Sequence, residues 1–444
     1  MNKARGGVLL FCLSSLMWGG AVWADGVLKV DAAYYQHDNS YENAPISLEA
    51  RLHYEQNWQL SDNTALLLKP RLGFDKGNLY ADKATLHEKN RTRSNFAVEE
   101  LTLTHYIDNF ELSVGKQVFS WGLGDMYNPS DHLNPVDTLD PLDNRKLGQW
   151  SASLLYLGAS SNLNLIFIPR RSASRLPEQN NRWFRSLKAI QTAAAEQLGI
   201  IPDINLSRQI DHHHTTTGVQ VTSGQWLPGW DIELSYLHSQ DPVGVYLPEV
   251  IAQPSATQLD LVRVFPQFGE ASVGISTALG EYTFHGITSY RNTKNNLQDD
   301  DYFTFLLGAR RTFYISDFEL PTSYISKLLQ NVEEVTLAVE YVKEKISHHR
   351  DPNSPYVNSG FGRTLPNSLL INVEVKFSED TLMKLGLVKN FDQQDRYVSI
   401  ELGHQLNDDF KITIGLDLLS GEPDSLFGQW SSNDRLFLST RYHF

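Results

Sequence analysis

The chain closes on "RLFLSTRYHF", residues 435–444, and the reading of that stretch decides the fold. Leu436, Leu438, Thr440, Tyr442 and Phe444 fall on one face of an extended strand, while Arg435, Ser439, Arg441 and His443 fall on the other. A solvated tail has no use for such a pattern. A membrane-facing strand does, because one of its faces meets lipid and the other meets water.

The same alternation recurs upstream. Ile46, Leu48, Ala50, Leu52 and Tyr54 oppose Ser47, Glu49, Arg51 and His53. In 64–74, Leu66, Leu68, Leu72 and Phe74 oppose Lys69, Arg71 and Gly73; Pro70 is the misfit, since proline removes a ladder hydrogen bond. Leu369, Ile371, Val373, Val375 and Phe377 face away from Asn372, Glu374 and Lys376. Phe410, Ile412, Ile414, Leu416 and Leu418 face away from Lys411, Thr413, Gly415 and Asp417.

Charge and cysteine usage narrow the classes. Over 444 residues the formal net charge is −14, which excludes nucleic acid as the partner. Lys3 and Arg5 precede an uncharged run from Gly6 to Ala24 ending Val22-Trp23-Ala24, so residues 1–24 read as a cleaved signal peptide. Cys12, the one cysteine, lies inside that segment, and Phe11 stands where a lipobox needs a small residue. Disulfides, thiolate metal sites and cysteine nucleophiles are thereby excluded beyond Ala24. No apolar run beyond Ala24 is long enough for a spanning helix, and the mean hydropathy is −0.33. Both properties suit a barrel whose lipid-facing and lumen-facing residues cancel in any sliding average.

A soluble sandwich would alternate as well, and connection lengths separate the two. Short links at 407–409, 378–381, 280–281, 108–109 and 61–64 interleave with longer polar ones at 420–433, 346–366, 292–301, 239–256, 170–213 and 121–148. Short turns at one rim and long loops at the other is the outer-membrane arrangement. The links at 391–395 and 314–332 do not fit this parity. Strand starts near 27, 46, 64, 94, 110, 149, 162, 214, 230, 271, 281, 302, 333, 367, 381, 396, 409 and 434 predict an all-β, transmembrane, antiparallel up-and-down barrel of about 18 strands, with 16 the alternative. Residues 25–444 form the barrel, and insertions 121–148, 170–213 and 239–270 are expected to fold over or into the lumen. Within the second, "RSLKAIQTAAAEQL" (185–198) reads as a helix stopped by Gly199.

Three successive turns follow the fifth expected strand: Asn128-Pro129-Ser130-Asp131, Asn134-Pro135-Val136-Asp137 and Asp140-Pro141-Leu142-Asp143. Each proline fixes φ and each Asn or Asp can cap the backbone, so a loop this stiff can bend inward and narrow a pore. Trp121 and Tyr127 read as aromatic anchors at the rim or as girdle residues.

The stretch 113–143, with Gly115-Lys116-Gln117, Trp121-Gly122 and Asn134-Pro135-Val136-Asp137, resembles a family of Gram-negative outer-membrane barrels catalogued as a domain of unknown function. The stretch 264–291 is similar to a second segment of that family; Ser289-Tyr290-Arg291 match, while Phe265-Pro266-Gln267 depart from its Tyr-Pro-Glu-Asp pattern. The resemblance implies a porin-like barrel and an outer-membrane location. Members are often encoded beside RND-type exporters and outer-membrane-directed lipoproteins, which implies traffic of apolar or amphiphilic compounds. It also implies that Tyr442 and Phe444 form the signal read by the barrel-assembly machinery.

The polar strand faces supply the lumen candidates: Glu49, Arg51, Lys69, Arg71, Glu111, Gln117, Arg291, Glu374, Lys376, Asp417 and Arg441. Charges on the lipid face cost several kcal/mol near the midplane, so these face inward. The loop motif adds Trp121, Asn128, Pro129, Asp131, Asn134, Pro135 and Asp137. His212 and His214 are the pair that could share an ion, because adjacent strand residues point to opposite faces, yet no metal site, cofactor or catalytic residue is expected. The Asp299–Asp301 run reads as a solvated loop or a cation bridge to lipopolysaccharide. Gly-x-Ser-x-Gly, His-Glu-x-x-His and phosphate-loop motifs are absent. The expectation is a channel for small or amphiphilic solutes that is not an enzyme, with outer-membrane lipid and lipopolysaccharide around it. An accessory barrel partnering an RND-type exporter or periplasmic lipoprotein is the alternative, and a lipid-modifying hydrolase the third.

Overall fold

The computed structural model describes residues 22–36, 45–76, 96–177, 181–184, 203–209, 214–252, 257–294, 299–317, 331–350, 357–358 and 362–444. Its strands are β1 (Val22–Tyr35), β2 (Ile46–Ser61), β3 (Thr64–Lys76), β4 (Phe96–Ile107), β5 (Phe110–Gln117), β6 (Val136–Asp137), β7 (Arg145–Lys146), β8 (Gln149–Leu157), β9 (Asn162–Ile168), β10 (Asp203–Gln209), β11 (Thr216–Leu227) and β12 (Trp230–Gln240). The second half adds β13 (Val245–Ala252), β14 (Thr257–Val264), β15 (Gln267–Leu279), β16 (Tyr282–Thr293), β17 (Asp301–Tyr314), β18 (Glu334–His348), β19 (Val357–Asn358), β20 (Asn367–Ser378), β21 (Thr381–Asn390), β22 (Asp395–Gln405), β23 (Phe410–Ser420) and β24 (Arg435–His443).

Eighteen of these form one sheet, and every expected barrel strand is among them. Neighbours pair antiparallel around the ring. The ring closes where β1 meets β24, with Val27 opposite His443 and Tyr35 opposite Arg435. Closure is what a membrane demands, because an open sheet edge in hydrocarbon would leave backbone groups without partners. Among the described residues no helix is long and apolar enough to cross a membrane; the crossing is made by strands.

The outer face is apolar along every strand. Leu48, Leu103, Val114, Val273, Leu307 and Ile414 are exposed there, which is where lipid would cover them. Two aromatic belts bound this band. Tyr34, Phe74, Phe96, Trp150 and Phe167 stand near the long-loop rim, and Phe110, Tyr282, Phe284, Tyr442 and Phe444 near the short-turn rim. Amphipathic rings collect at both interfaces for this reason.

Pro70 is accommodated by a bulge. The β3–β4 register shifts between Lys69 and Pro70, pairing Lys69 with Glu100 and Pro70 with Val98. Glu99 becomes the extra residue, so two consecutive acids reach the lumen: Glu100 meets Lys69 at 3.0 Å and Glu99 meets Arg71 at 2.9 Å. A bulge re-aims a side chain in just this way.

The insertions depart from expectation in kind. Strands β13 and β14 form a hairpin within 239–270, β10 adds to it in parallel, and β19 pairs at the far edge. The result is a separate four-stranded sheet at the long-loop end. The expected helix at 185–198 lies outside the described residues, as does His212.

Candidate functional site

The loop between β5 and β8 turns into the barrel. Its neck is tied by Asn134, whose Oδ1 accepts the Phe119 N–H at 2.7 Å and whose Nδ2 donates to the Leu147 carbonyl at 2.9 Å. Two of the three expected turns form, at 128–131 and 140–143; the one expected at 134–137 does not, because Val136–Asp137 is extended as β6 and pairs with β7. Asp131 N–H donates to Asn128 O, Leu139 N–H to Asp137 Oδ1 at 3.2 Å, and Leu142 N–H to Asp140 Oδ1 at 3.0 Å. Pro129 and Pro135 are buried, and Lys146 pairs with Asp131.

From that neck the loop reaches three sectors of the wall. In the first, Trp121 is 2 % exposed and packs with Phe119, Leu133, Ile166, Ile168, Leu237 and Phe268. It sits over Gly218 of β11, where a Cβ would lie 2.6 Å from its ring. Trp121 is thus an internal anchor and neither a rim nor a girdle residue: β11 carries a glycine where the indole needs room. Gly122, at φ +96°, turns the chain beneath it, a conformation glycine adopts without cost. Gly122 N–H reaches Glu233 of β12 at 3.2 Å, and His132 meets Glu270 of β15 at 3.0 Å.

In the second sector, Leu123, Met126 and Tyr127 cover Ile287, Leu306, Val342 and Leu370, inward residues of β16, β17, β18 and β20. Tyr127 is therefore internal too. Glu340 of β18, 0 % exposed, accepts the backbone N–H groups of Asp125 at 2.6 Å, Met126 at 3.2 Å and Tyr127 at 3.0 Å. His285 of β16 lies 2.8 Å from the same carboxylate. A buried charge needs this saturation, since each missing partner costs about 1–3 kcal/mol.

The third sector lies five to seven strands further round the ring from β18, at β24 and β2. Asp140 pairs with Arg435 of β24 at 2.5 Å, Asp143 pairs with Arg51 of β2, and Arg145 reaches Glu49 at 3.3 Å. Burial by itself would raise the Asp143 carboxyl, but Arg51 and Arg145 outweigh it and hold the group at about 2. Glu49 and Arg51 also pair with each other.

The second insertion stacks on the first. Thr138 N–H donates to Arg175 O at 3.1 Å and Arg175 N–H to Val136 O at 3.0 Å. Residues 181–184 then reach the opposite wall, where Trp183 packs edge-on against Tyr35 of β1 and Trp430 of the last long loop. Asn433 Nδ2 donates to Arg182 O at 3.0 Å.

The remaining candidates fall as follows. Lys69 bridges Glu55 at 3.2 Å and Glu100. Gln117 donates to Ser151, and Glu111 is half-buried near Ser113. Arg291 pairs with Asp241 at 2.9 Å and donates to the Tyr302 hydroxyl. Glu374 meets Lys384 at 2.7 Å, Lys376 meets Glu333 at 3.3 Å, and Asp417 meets Arg435 at 2.6 Å and Tyr397. Arg441 is exposed near the short-turn rim beside a cavity of about 370 Å³. The Asp299–Asp301 run is not a solvated loop: all three are buried, and Arg363 pairs with Asp299 and Asp300 while Asp301 accepts the Thr293 N–H. His214 meets Gln267. Among the described residues no group of three metal-ligand side chains converges.

Sequence reasoning missed Glu340, Glu233 and Trp183. The first two sit on inward strand positions and were legible as such; the loop groups they hold were not.

A closed barrel of 18 strands, apolar outside between aromatic belts and polar within, defines a Gram-negative outer-membrane β-barrel of porin-like architecture. No protein-family model and no curated protein matches the chain. Among solved structures it is similar to a mutant of the Rh. blastica porin, with 10% identity over 96% of this chain and 100% of that one at a TM-score of 0.41. It is also similar to a loop-deletion mutant of OmpT, an outer membrane protein of Vibrio cholerae, with 9% identity, 96% and 99% coverage and a TM-score of 0.44. OccK11 of Pseudomonas aeruginosa matches with 9% identity, 95% and 96% coverage and a TM-score of 0.49. Likenesses this distant carry no functional argument; the barrel's own geometry carries the assignment.

Proposed function

We propose that the protein is a passive outer-membrane channel whose lumen is constricted by the loop between β5 and β8. The observation that supports this most directly is the loop's attachment to widely separated parts of the wall, at Glu340 of β18 and at Arg51 of β2 and Arg435 of β24. Rigid turns, fixed by proline and Asn or Asp capping, suit a constriction that holds its dimensions. Charges of both signs on facing walls set a transverse field across such a pore and select among solutes. The solutes of this reading are small or amphiphilic.

A second reading rests on the apolar packing at the long-loop end, where Trp183, Trp430, Tyr35 and Phe427 fill space that a wide pore would leave to water. It makes the protein an accessory barrel, partnering a periplasmic or RND-type exporter and conducting little. Planar-bilayer conductance of the signal-free protein, repeated after deletion of 121–147 from the β5–β8 loop, separates the two. Stepwise current that grows on deletion supports the constricted channel. Silence in both forms sinks it in favour of the accessory barrel.

A further inference from the structure

One row of inward side chains differs from the rest of the wall. Register sets Arg51 of β2 beside Lys29 of β1, Lys29 beside Arg441 of β24, and Arg441 beside Lys411 of β23. Like charges directly opposite one another destabilise a sheet, so four basic residues on four successive strands cost the barrel stability. Two of them are neutralised. Arg51 holds Glu49 and Asp143, and Lys29 holds Asp31 at 3.1 Å. Among the described residues, Lys411 and Arg441 have no carboxylate within ion-pair distance.

The row fronts the cavity of about 370 Å³, within the range of small-solute sites. Five carboxylates also line it, and they decide whether its field is basic or neutral. Asp31, Glu49, Asp140 and Asp143 each already hold a Lys or Arg. Lys384 is likewise taken up by Glu374. Glu401 alone is left against Lys411 and Arg441, so the surplus at this end of the cavity is positive, while at the other end Arg435 carries Asp140 and Asp417 together. The surplus arises inside a chain of net charge −14, so it is no reflection of average composition. The Lys411 stem lies over Gly403 of β22, where no side chain obstructs it.

We propose that Arg441 and Lys411, with Lys29 flanking them, form a binding site for a small oxyanion, a carboxylate or phosphate group, on the short-turn side of the constriction. This inference rests on the channel reading for its transport consequence, an anion preference, but not for the binding itself. A guanidinium offers a planar fork to an oxyanion and an ammonium a mobile point charge, and the row supplies both.

Two measurements on the signal-free full barrel test it, each made on the parent and on a Lys411→Gln/Arg441→Gln double variant. That variant relieves like-charge repulsion, and heat-modifiable gel mobility checks that it folds. The first is the reversal potential across a planar bilayer in a potassium chloride gradient; the second is calorimetric titration with inorganic phosphate. The expected result is an anion-favouring reversal potential that moves to zero or changes sign in the variant, with phosphate binding weakened at least about tenfold, the loss of roughly one charge-assisted contact. A conducting parent without anion preference, or a variant that binds phosphate as the parent does, overturns the site and leaves the channel standing. A silent barrel whose phosphate binding is lost in the variant upholds the site and sinks the channel.

Discussion

Glu340, on β18, accepts the Tyr127 backbone N–H at 3.0 Å across the lumen. That bond, with its companions from Asp125 and Met126, fixes the inward loop to a wall more than two hundred residues away in sequence. The Glu340→Ala variant leaves three loop donors without their acceptor, at about 1–3 kcal/mol each, which is enough to release this end of the loop. Single-channel recording should give larger unit conductance and more open-channel noise than the parent. Glu340→Gln keeps a carbonyl acceptor and should fall between. Identical traces from all three would remove Glu340 as the tether.

Trp183 makes the equivalent tether for 181–184. Its ring is buried between Tyr35 and Trp430 at centroid distances of 6.5 and 5.6 Å. Truncating a buried aromatic costs about 3–5 kcal/mol, so Trp183→Ala should expose the segment while the barrel strands keep their pairing. Trypsin cleavage at Arg182 in intact cells should accelerate by about a hundredfold or more, as expected when local opening is cheapened by roughly 3 kcal/mol. An unchanged cleavage rate would mean that the segment is held elsewhere.

Phe444 closes the barrel seam. Its carbonyl accepts the Gly26 N–H at 3.1 Å, its own N–H returns to Gly26 O at 2.9 Å, and its ring lies over Gly26, where a Cβ would come within 2.3 Å of it. Gly26→Val should displace the ring and lower the folded fraction. Phe444→Ala should lower it as well, and further in cells than in detergent refolding if the assembly machinery reads this residue. Seminative gel mobility of both variants, in cells and after refolding, measures the difference.

Asp299 sets a pH dependence at the long-loop end. Burial raises its carboxyl, Asp241 adds to the rise, Arg291 and Arg363 oppose it, and the group settles at about 6. An unfolded Asp titrates near 3.9, so between about pH 4 and 6 the folded state binds the extra proton. Stability therefore falls as pH rises through that window and is flat above it. Thermal unfolding of the parent between pH 4 and 7 should show the decline, and Asp299→Asn should abolish it. A parent whose midpoint rises over the same window would contradict the assignment.

Much of this fold was legible because a membrane strand must satisfy two solvents at once. Leu436, Leu438 and Tyr442 report the lipid face residue by residue, and the same period located all the barrel strands from 27 to 434. Pro70 looked like a misfit only because period two has no place for a bulge; the extra residue is Glu99, on the neighbouring strand. The turns at 128–131 and 140–143 were equally legible, since their geometry is local; the one expected at 134–137 gave way to the β6–β7 pairing.

The sequence by itself determined the barrel, an approximate strand count and the stiffness of the loop, because alternation and turn chemistry act between residues a few positions apart; the structure settled the count at 18. Only the tertiary structure decided where that loop goes, that Trp121 and Tyr127 lie inside, and that β10, β13, β14 and β19 form a sheet of their own. It also brought Arg51, Lys29, Arg441 and Lys411 into one row. Those outcomes depend on ring closure, which makes the first strand and the last into neighbours, and no periodicity along the chain encodes which side chain an inward Glu or Arg will meet across the lumen.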